Sequence, residues 1–177
     1  MIHYRYQGIR LGRVLAWFVF VMTLAACGAV HHEIRLNPDF SPRPETSIGI
    51  GTVTNATGQT FDVQIEDMFR EALNDELKDE NLLSTGADGH KLVLATKIVE
   101  YEKGNAFKRW LLPGWGDTVL SIQCDLMDGD RLVGNIEARR TIAFGGGYTI
   151  GEWKRIFNRV AIDIVSDLRE KISGHSK

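Results

Sequence analysis

The fold is decided by the stretch T-V-L-S-I-Q-C-D-L-M-D-G-D, residues 118–130. Apolar side chains at positions 120, 122, 124 and 126 alternate with polar ones at positions 121, 123 and 125. This is the period of a β-strand with one buried face. The Asp-Gly-Asp that follows is typical of a hairpin turn. The sequence therefore predicts a strand over Thr118–Met127 that turns back into a second strand over Arg131–Phe144.

Two amphipathic helices flank this hairpin in the sequence. Apolar residues recur at helical spacing from residue 61 to residue 77, and a Ser-Thr-Gly at 84–86 ends the pattern. Thr149 and Glu152 match a capping box that opens the second helix, whose apolar stripe continues to Ile172. Runs of apolar residues predict two more strands, over 47–53 and 90–101.

The element order β-α-β-β-β-α predicts an α+β domain over residues 47–177. We expect a mostly antiparallel, four-stranded sheet with the two helices packed on one face. Residues 27–46 have no clean periodicity and hold prolines at positions 38, 42 and 44. This composition is typical of an extended tether between the domain and whatever precedes it.

Residues 1–26 have the layout of a secretory signal peptide. Arg5, Arg10 and Arg13 precede an apolar run, V-L-A-W-F-V-F-V-M at residues 14–22, and no acidic residue occurs in this segment. The run is shorter than the roughly 20 residues that span a bilayer comfortably. The small residues at its end predict cleavage between Ala26 and Cys27. An uncleaved anchor helix with a chance cysteine is the alternative.

The end of this run, L-A-A-C at residues 24–27, resembles the lipobox of bacterial lipoproteins. In that family the cysteine receives a diacylglyceryl group and becomes the acylated first residue. The resemblance implies a covalent lipid on Cys27, and we expect no other cofactor. Gly28 stands where Asp would favour the inner membrane in the enteric sorting rule. The resemblance therefore implies the periplasmic face of the outer membrane, in preference to the inner membrane.

The net charge and the absence of known motifs argue against several classes of function. The chain has 21 Lys+Arg and 23 Asp+Glu; because residues 1–26 hold three Arg and no acid, the mature chain has 18 against 23, a net charge of −5. Nucleic-acid binding needs clustered basic residues, so we expect no nucleic-acid partner. We find no catalytic motif and predict no enzyme. His31-His32-Glu33 lacks a second ligand cluster, so we predict no metal site.

One segment departs from ordinary loop composition: K-G-N-A-F-K-R-W-L-L-P-G-W-G-D, residues 103–117. Aromatic side chains with Arg are typical of interface anchors, and basic residues beside Trp suit a membrane surface. The alternative is a long hairpin loop that folds its aromatic side chains back onto the sheet. The candidate interaction residues are Phe107, Lys108, Arg109, Trp110, Leu111, Leu112 and Trp115.

The sequence also resembles small Gram-negative envelope lipoproteins that are classified only as a domain of unknown function. The resemblance covers roughly residues 48–172. It rests on Gly104-Asn105, Arg109-Trp110, Gly114, Gly116, Asp128-Gly129 and the glycines at 145–147. The element order is similar to that of the curli secretion lipoprotein and of the lipoprotein activators of peptidoglycan synthases. The family implies no catalytic residues.

These features together predict a membrane-anchored periplasmic lipoprotein that acts as a protein-binding or envelope-assembly accessory factor. Its expected partners are the membrane, through the lipid anchor, and an envelope protein. The candidate contact surfaces are the loop at 103–117 and the acidic outer face of the first helix. The alternative is a carrier or sensor of a small apolar or envelope ligand, held between the sheet and the helices. An enzyme with residues that converge only in space ranks third.

Overall fold

The computed structural model of the chain describes residues 29–43, 45–84, 89–105, 108, 116–142 and 152–174. These residues form an α+β fold in which two helices pack on a five-stranded mixed sheet. In chain order the elements are β1 (Val30–Leu36), β2 (Ser47–Asn55), α1 (Ile65–Asp79), β3 (Lys91–Glu102), β4 (Thr118–Asp128), β5 (Arg131–Ile142) and α2 (Glu152–Gly174).

The sheet has the strand order β1-β5-β4-β3-β2. The pairs β1–β5, β4–β5 and β3–β4 are antiparallel, whereas β2 and β3 are parallel and are connected through α1. A parallel pair needs such a crossover, because the chain must return to the end of the sheet at which the first strand began. The expected α+β class is therefore confirmed, and the expected four-stranded sheet is corrected to five strands.

The additional strand is β1, which lies in the segment that the sequence analysis assigned to a tether. It pairs with β5 over seven residues, from Val30 opposite Arg140 to Leu36 opposite Gly134. Phe40, further along the same segment, is part of the core. The tether assignment is therefore wrong for these residues. The apolar alternation of the strand is interrupted by His32. Together with the prolines that follow, this interruption made the segment resemble a tether.

The β4–β5 hairpin has the turn that the sequence predicts. Asp128 pairs with Arg131, and Gly129 at the turn has a φ of 59°. This left-handed backbone conformation suits glycine, which has no Cβ to clash. Strand β5 ends at Ile142, and the last two residues of the predicted strand, 143 and 144, lie outside the described ranges.

Both predicted apolar stripes face the sheet. Helix α1 begins at Ile65, four residues later than the periodicity indicated, and buries Ile65, Phe69, Ala72, Leu73 and Leu77. Helix α2 buries the stripe Ile156, Phe157, Val160, Ala161, Ile164, Val165, Leu168 and Ile172. Thr149 of the predicted capping box lies outside the described residues. Neither helix in the part of the chain that the structure describes is long and apolar enough to cross a membrane.

The two faces of the sheet differ in what covers them. One face packs on both helices and supplies fully buried side chains such as Leu94, Ile98 and Ile122. Arg140 on this face forms an ion pair with Asp163 of α2, with 3.1 Å between Nε and Oδ2. No described helix or loop covers the opposite face, which we call the open face. Alternation along β4 thus sends apolar side chains to the helices and polar ones to the open face, whereas β3 also places the apolar Val93 and Ala95 on the open face.

Candidate functional site

The open face carries three rows of side chains that the strand register aligns. The first row is Glu33, Glu137, Gln123 and Lys97; the second is Arg35, Asn135 and Asp125; the third is His31, Arg139, Ser121 and Glu100. Acidic and basic groups alternate across neighbouring rows. A cleft of about 200 Å³ lies among the first two rows. These rows are therefore mainly polar and have groups of both signs, although Ala95, opposite Asp125, extends the second row with an apolar side chain.

Ion pairs hold several of these side chains in place. Arg139 donates from Nε to Glu100 at 3.0 Å, and this hydrogen bond raises the pKa of the guanidinium. Lys97 Nζ lies 3.4 Å from Asp125, which also accepts from Asn135 Nδ2 at 2.7 Å. These groups are largely solvated, so each exposed pair contributes only about 0–1 kcal/mol to stability. Their main consequence is an ordered array of donors and acceptors.

Hydrogen bonds join the two ends of the predicted interaction loop. Gly104 has a φ of 71°, and a Cβ at this position would lie 2.6 Å from Thr118 Oγ1. Asn105 donates its backbone N–H to the carbonyl of Gly116 at 2.9 Å, and Thr118 Oγ1 donates to the carbonyl of Lys103 at 3.0 Å. The two ends of the segment are therefore tied together where β3 ends and β4 begins.

Of the candidate interaction residues, the structure describes Lys108 alone. Lys108 is exposed, and its backbone N–H donates to Asn105 Oδ1 at 3.1 Å. The others, together with the predicted cleavage and lipidation residues, lie outside the described residues: Ala26, Cys27, Phe107, Arg109, Trp110, Leu111, Leu112 and Trp115. The exposure of the aromatic residues of the loop stays a prediction.

Lys103 links the loop base to the helix layer. Its Nζ lies 3.0 Å from Asp62 Oδ2, just before α1, and 4.6 Å from the ring centroid of Trp153 at the start of α2. The hydrogen bond from Lys103 lowers the pKa of Asp62. One cation thus connects the end of β3 with the beginnings of both helices.

The acidic outer face of α1 is solvated, as the sequence indicated. Asp67, Glu71, Asp75 and Asp79 are exposed. Glu76 is partly covered, and this burial raises its pKa, with the neighbouring Glu80 and Asp79 acting in the same direction. The face has the character of a solvated helix surface.

Cys124 is a core residue in the structure. It is 1% exposed and lies 3.4 Å from Thr96 Oγ1, on the helix-covered face of β4. Burial raises the pKa of its thiol to about 12. Since the thiolate is the reactive form, Cys124 has the environment of a structural cysteine.

A cluster that the sequence analysis did not identify lies at the end of the sheet where β3 begins. His90 Nε2 is 3.1 Å from Asp128 Oδ1, and His90 Nδ1 is 3.4 Å from Thr46 Oγ1. The connectivity is that of a hydroxyl–imidazole–carboxylate relay. However, the Thr46 hydroxyl is buried and already accepts the backbone N–H of Arg43 at 3.0 Å. We interpret the cluster as a structural contact that connects the chain before β2 with the β4–β5 turn.

The two adjacent histidines of β1 point to opposite faces of the sheet. His31 lies in the third row of the open face, whereas His32 Nδ1 is hydrogen-bonded to Asp167 of α2 on the covered face. Strand alternation therefore prevents the two rings from sharing a ligand. Within the described ranges, no group of three or more His, Cys, Asp or Glu side chains is placed to hold a metal ion.

The fold and these surfaces define an α+β domain with one helix-covered sheet face and one open polar face. Residues 45–146 match the family described as Domain of unknown function (DUF4410). The match spans more than half of the 177 residues, and the chain belongs to this family. The expected membership of a domain-of-unknown-function family is thereby confirmed. Comparison with the curated proteins gives no match.

Several solved structures have a similar fold. PelC from Paraburkholderia phytofirmans, solved as a dodecamer, is 12% identical with a TM-score of 0.56, over 80% of this chain and 98% of that chain. A point variant of PelC, also a dodecamer, gives 12% and 0.55 over 78% and 98%. A DUF330 protein from Xanthomonas campestris gives 11% and 0.49 over 80% and 96%. At this identity, the similarity to PelC shows the fold alone.

Proposed function

We propose that this chain is a lipid-anchored periplasmic protein of the outer membrane that binds an envelope protein as an assembly accessory factor. The anchor is the predicted lipid on Cys27, and the binding surface is the open face of the sheet. The observation that carries the proposal is this face, which no described helix or loop covers and on which ordered side chains of both signs are presented. A binding role requires such a surface and requires no catalytic group.

The distribution of charge on the open face favours a protein as the partner. Acidic and basic side chains alternate over a few ångströms, as in the pairs Lys97–Asp125 and Arg139–Glu100. A polyanion would need a continuous basic surface, and a polycation a continuous acidic one. Mixed charge instead complements another protein surface, where it selects the partner and the register of docking.

The alternative function, a carrier of a small apolar ligand, has less support. It needs an apolar pocket of some hundreds of cubic ångströms between the sheet and the helices. That space is filled by aromatic side chains: Tyr101 lies 5.2 Å from Phe157 and 5.1 Å from Phe61 between ring centroids, and all three contribute to the core. Two clefts that described residues line, one on the open face and one beside His90, are open and surrounded mostly by polar groups.

A second candidate is assembly of this chain with copies of itself. Strand β1 is at the edge of the sheet, and its outer backbone edge faces no other strand within the described residues. An unpaired strand edge can pair with another chain. The similarly folded PelC structures are dodecamers. In this case the partner envelope protein is a second copy.

The test is photo-crosslinking in living cells from two matched positions. Gln123 is exposed at the middle of the open face, and Ile162 is exposed on the outer face of α2. A crosslinkable residue at position 123 should give one dominant envelope protein by mass spectrometry, and the same residue at position 162 should not. Crosslinks between copies would identify self-assembly. Equal, diffuse products from both positions would contradict a binding role for the open face.

A further inference from the structure

We propose that the end of the sheet where β1 begins lies directly against the membrane, so that the domain stands on the bilayer with its strands pointing away from it. We call this end the anchor end; it includes Ala29, Lys103 and Lys108. Thr60 lies there too, because Asn55 at the end of β2 donates from Nδ2 to the carbonyl of the adjacent Gln59 at 2.8 Å. The inference rests on the proposed lipid anchor at Cys27. It adds an orientation and a membrane-contact surface that the anchor alone does not specify.

The chain between the proposed lipid and the fold is short. The carbonyl of Ala29 accepts the backbone N–H of Thr141 at 2.9 Å, so the chain is already fixed to β5 at this residue. Cys27 precedes Ala29 by two residues. Two residues reach at most about 7 Å when fully extended. A lipid on Cys27 would therefore hold the beginning of the sheet within a few ångströms of the headgroups.

The base of the loop and the beginnings of both helices share this end of the sheet. Val30 of β1 pairs with Arg140, near the end of β5, and the last residue of β5 pairs with the first residue of β4. Residues 102 and 119 pair next to the loop base. The ion pair of Lys103 with Asp62 and its contact with Trp153 place the beginnings of α1 and α2 at the same end. The described base of the loop, where Asn105 bonds to Gly116 and Thr118 to Lys103, therefore lies at the anchor end.

The partner is the bilayer interface itself, and anionic lipid is not required. Among the described residues at this end, Lys103, Lys108, Lys154 and Arg155 are accompanied by Asp62, Glu66, Asp67, Glu102 and Asp117, so these residues carry no excess of positive charge. Attraction to anionic headgroups therefore has little net effect. The short chain between the lipid and β1 determines the orientation, which should be the same on zwitterionic and anionic membranes.

The experiment measures energy transfer from the full lipidated chain to a headgroup-labelled lipid in phosphatidylcholine vesicles. A donor is attached at Thr60→Cys near the anchor end, or at Asp130→Cys in the β4–β5 turn at the opposite end. Both positions are exposed, whereas Cys124 is 1% exposed and stays unlabelled. Strand β5 has 12 residues, so the two ends are about 35–40 Å apart.

We expect strong transfer from position 60 and weak transfer from position 130, unchanged when one third of the lipid is phosphatidylglycerol. Inserting 15 Gly/Ser residues after Gly28 should abolish the difference. Equal transfer from both positions in a protein that floats with the vesicles would overturn the orientation and leave the anchor intact. A protein that does not float with the vesicles at all would overturn the proposed anchor, and the inference with it.

Discussion

Replacing Phe157 with Ala is expected to lower the free energy of unfolding by about 3–5 kcal/mol, the range for truncating a buried Phe. The side chain is 1% exposed and lies between Tyr101 and Phe69, with ring centroids 5.2 and 6.5 Å away. Removing the ring loses its burial and these aromatic contacts, and leaves a cavity where α2 meets α1 and β3. Urea denaturation followed by circular dichroism measures the change.

The matched control is Ile162→Ala in the same helix. Ile162 is 46% exposed, and substitutions at surface positions usually change stability by about 0.5 kcal/mol or less. Both variants introduce Ala into the same helix, so the difference between their free energies of unfolding reports mainly the loss of packing. A loss at position 157 no larger than that at position 162 would contradict the assignment of the aromatic cluster to the core.

The double substitution Ile34→Ser with Leu36→Ser is expected to lower the free energy of unfolding by about 2–4 kcal/mol, from two partly buried apolar side chains. Both residues pack against the core from β1, opposite Ile136 and Gly134 of β5. If this segment were only a tether, the same substitutions would have no effect. Urea denaturation measures the change and distinguishes a strand of the sheet from a tether.

The control on the same strand is His31→Ser with Glu33→Ser. Both side chains lie on the open face, and the Glu33–Arg35 pair is solvent-exposed, so the expected change is small. A large loss for the apolar pair and a small one for the polar pair identifies β1 as a strand with one buried face. Similar small changes for both pairs would show that β1 does not contribute to the fold.

The sequence predicts those elements whose pattern is long and local. The stripe of α2 and the alternation of β4 specify a helix and a strand without knowledge of the rest of the chain. The Asp-Gly-Asp turn predicts the pairing of β4 with β5, because two strands joined by a two-residue loop pair with each other as an antiparallel hairpin. By contrast, β1 finds its partner about a hundred residues away, and no local signal specifies that pairing.

The same limit applies to the open face. Polar residues at positions 121, 123 and 125 indicated that one face of β4 is not packed. The pairs that order this face join residues from different strands: Glu100 and Arg139 are 39 positions apart, and Lys97 and Asp125 are 28 apart. Such contacts depend on strand register, which the sequence does not reveal. The cluster of His90 with Asp128 was missed for the same reason.

The correction to β1 also changes the predicted relation of the domain to the membrane. A tether of about 20 residues would let the domain move some 25 Å from its anchor. With β1 in the sheet, Cys27 lies two positions before Ala29, whose carbonyl makes the first backbone hydrogen bond among the described residues. The base of the candidate interaction loop and Ala29, the first described residue after Cys27, lie at the same end of the sheet.

The measurement that tests the account most directly is the chemical state of Cys27 in the mature protein. Cells are grown with labelled palmitate, and the purified chain is digested and its N-terminal peptide is weighed by mass spectrometry. We expect the mature chain to begin at Cys27, to carry the acyl label, and to lose the label in Cys27→Ser. An N-terminus that retains residues before position 27, or a label that persists in Cys27→Ser, would contradict the lipid anchor and the orientation derived from it.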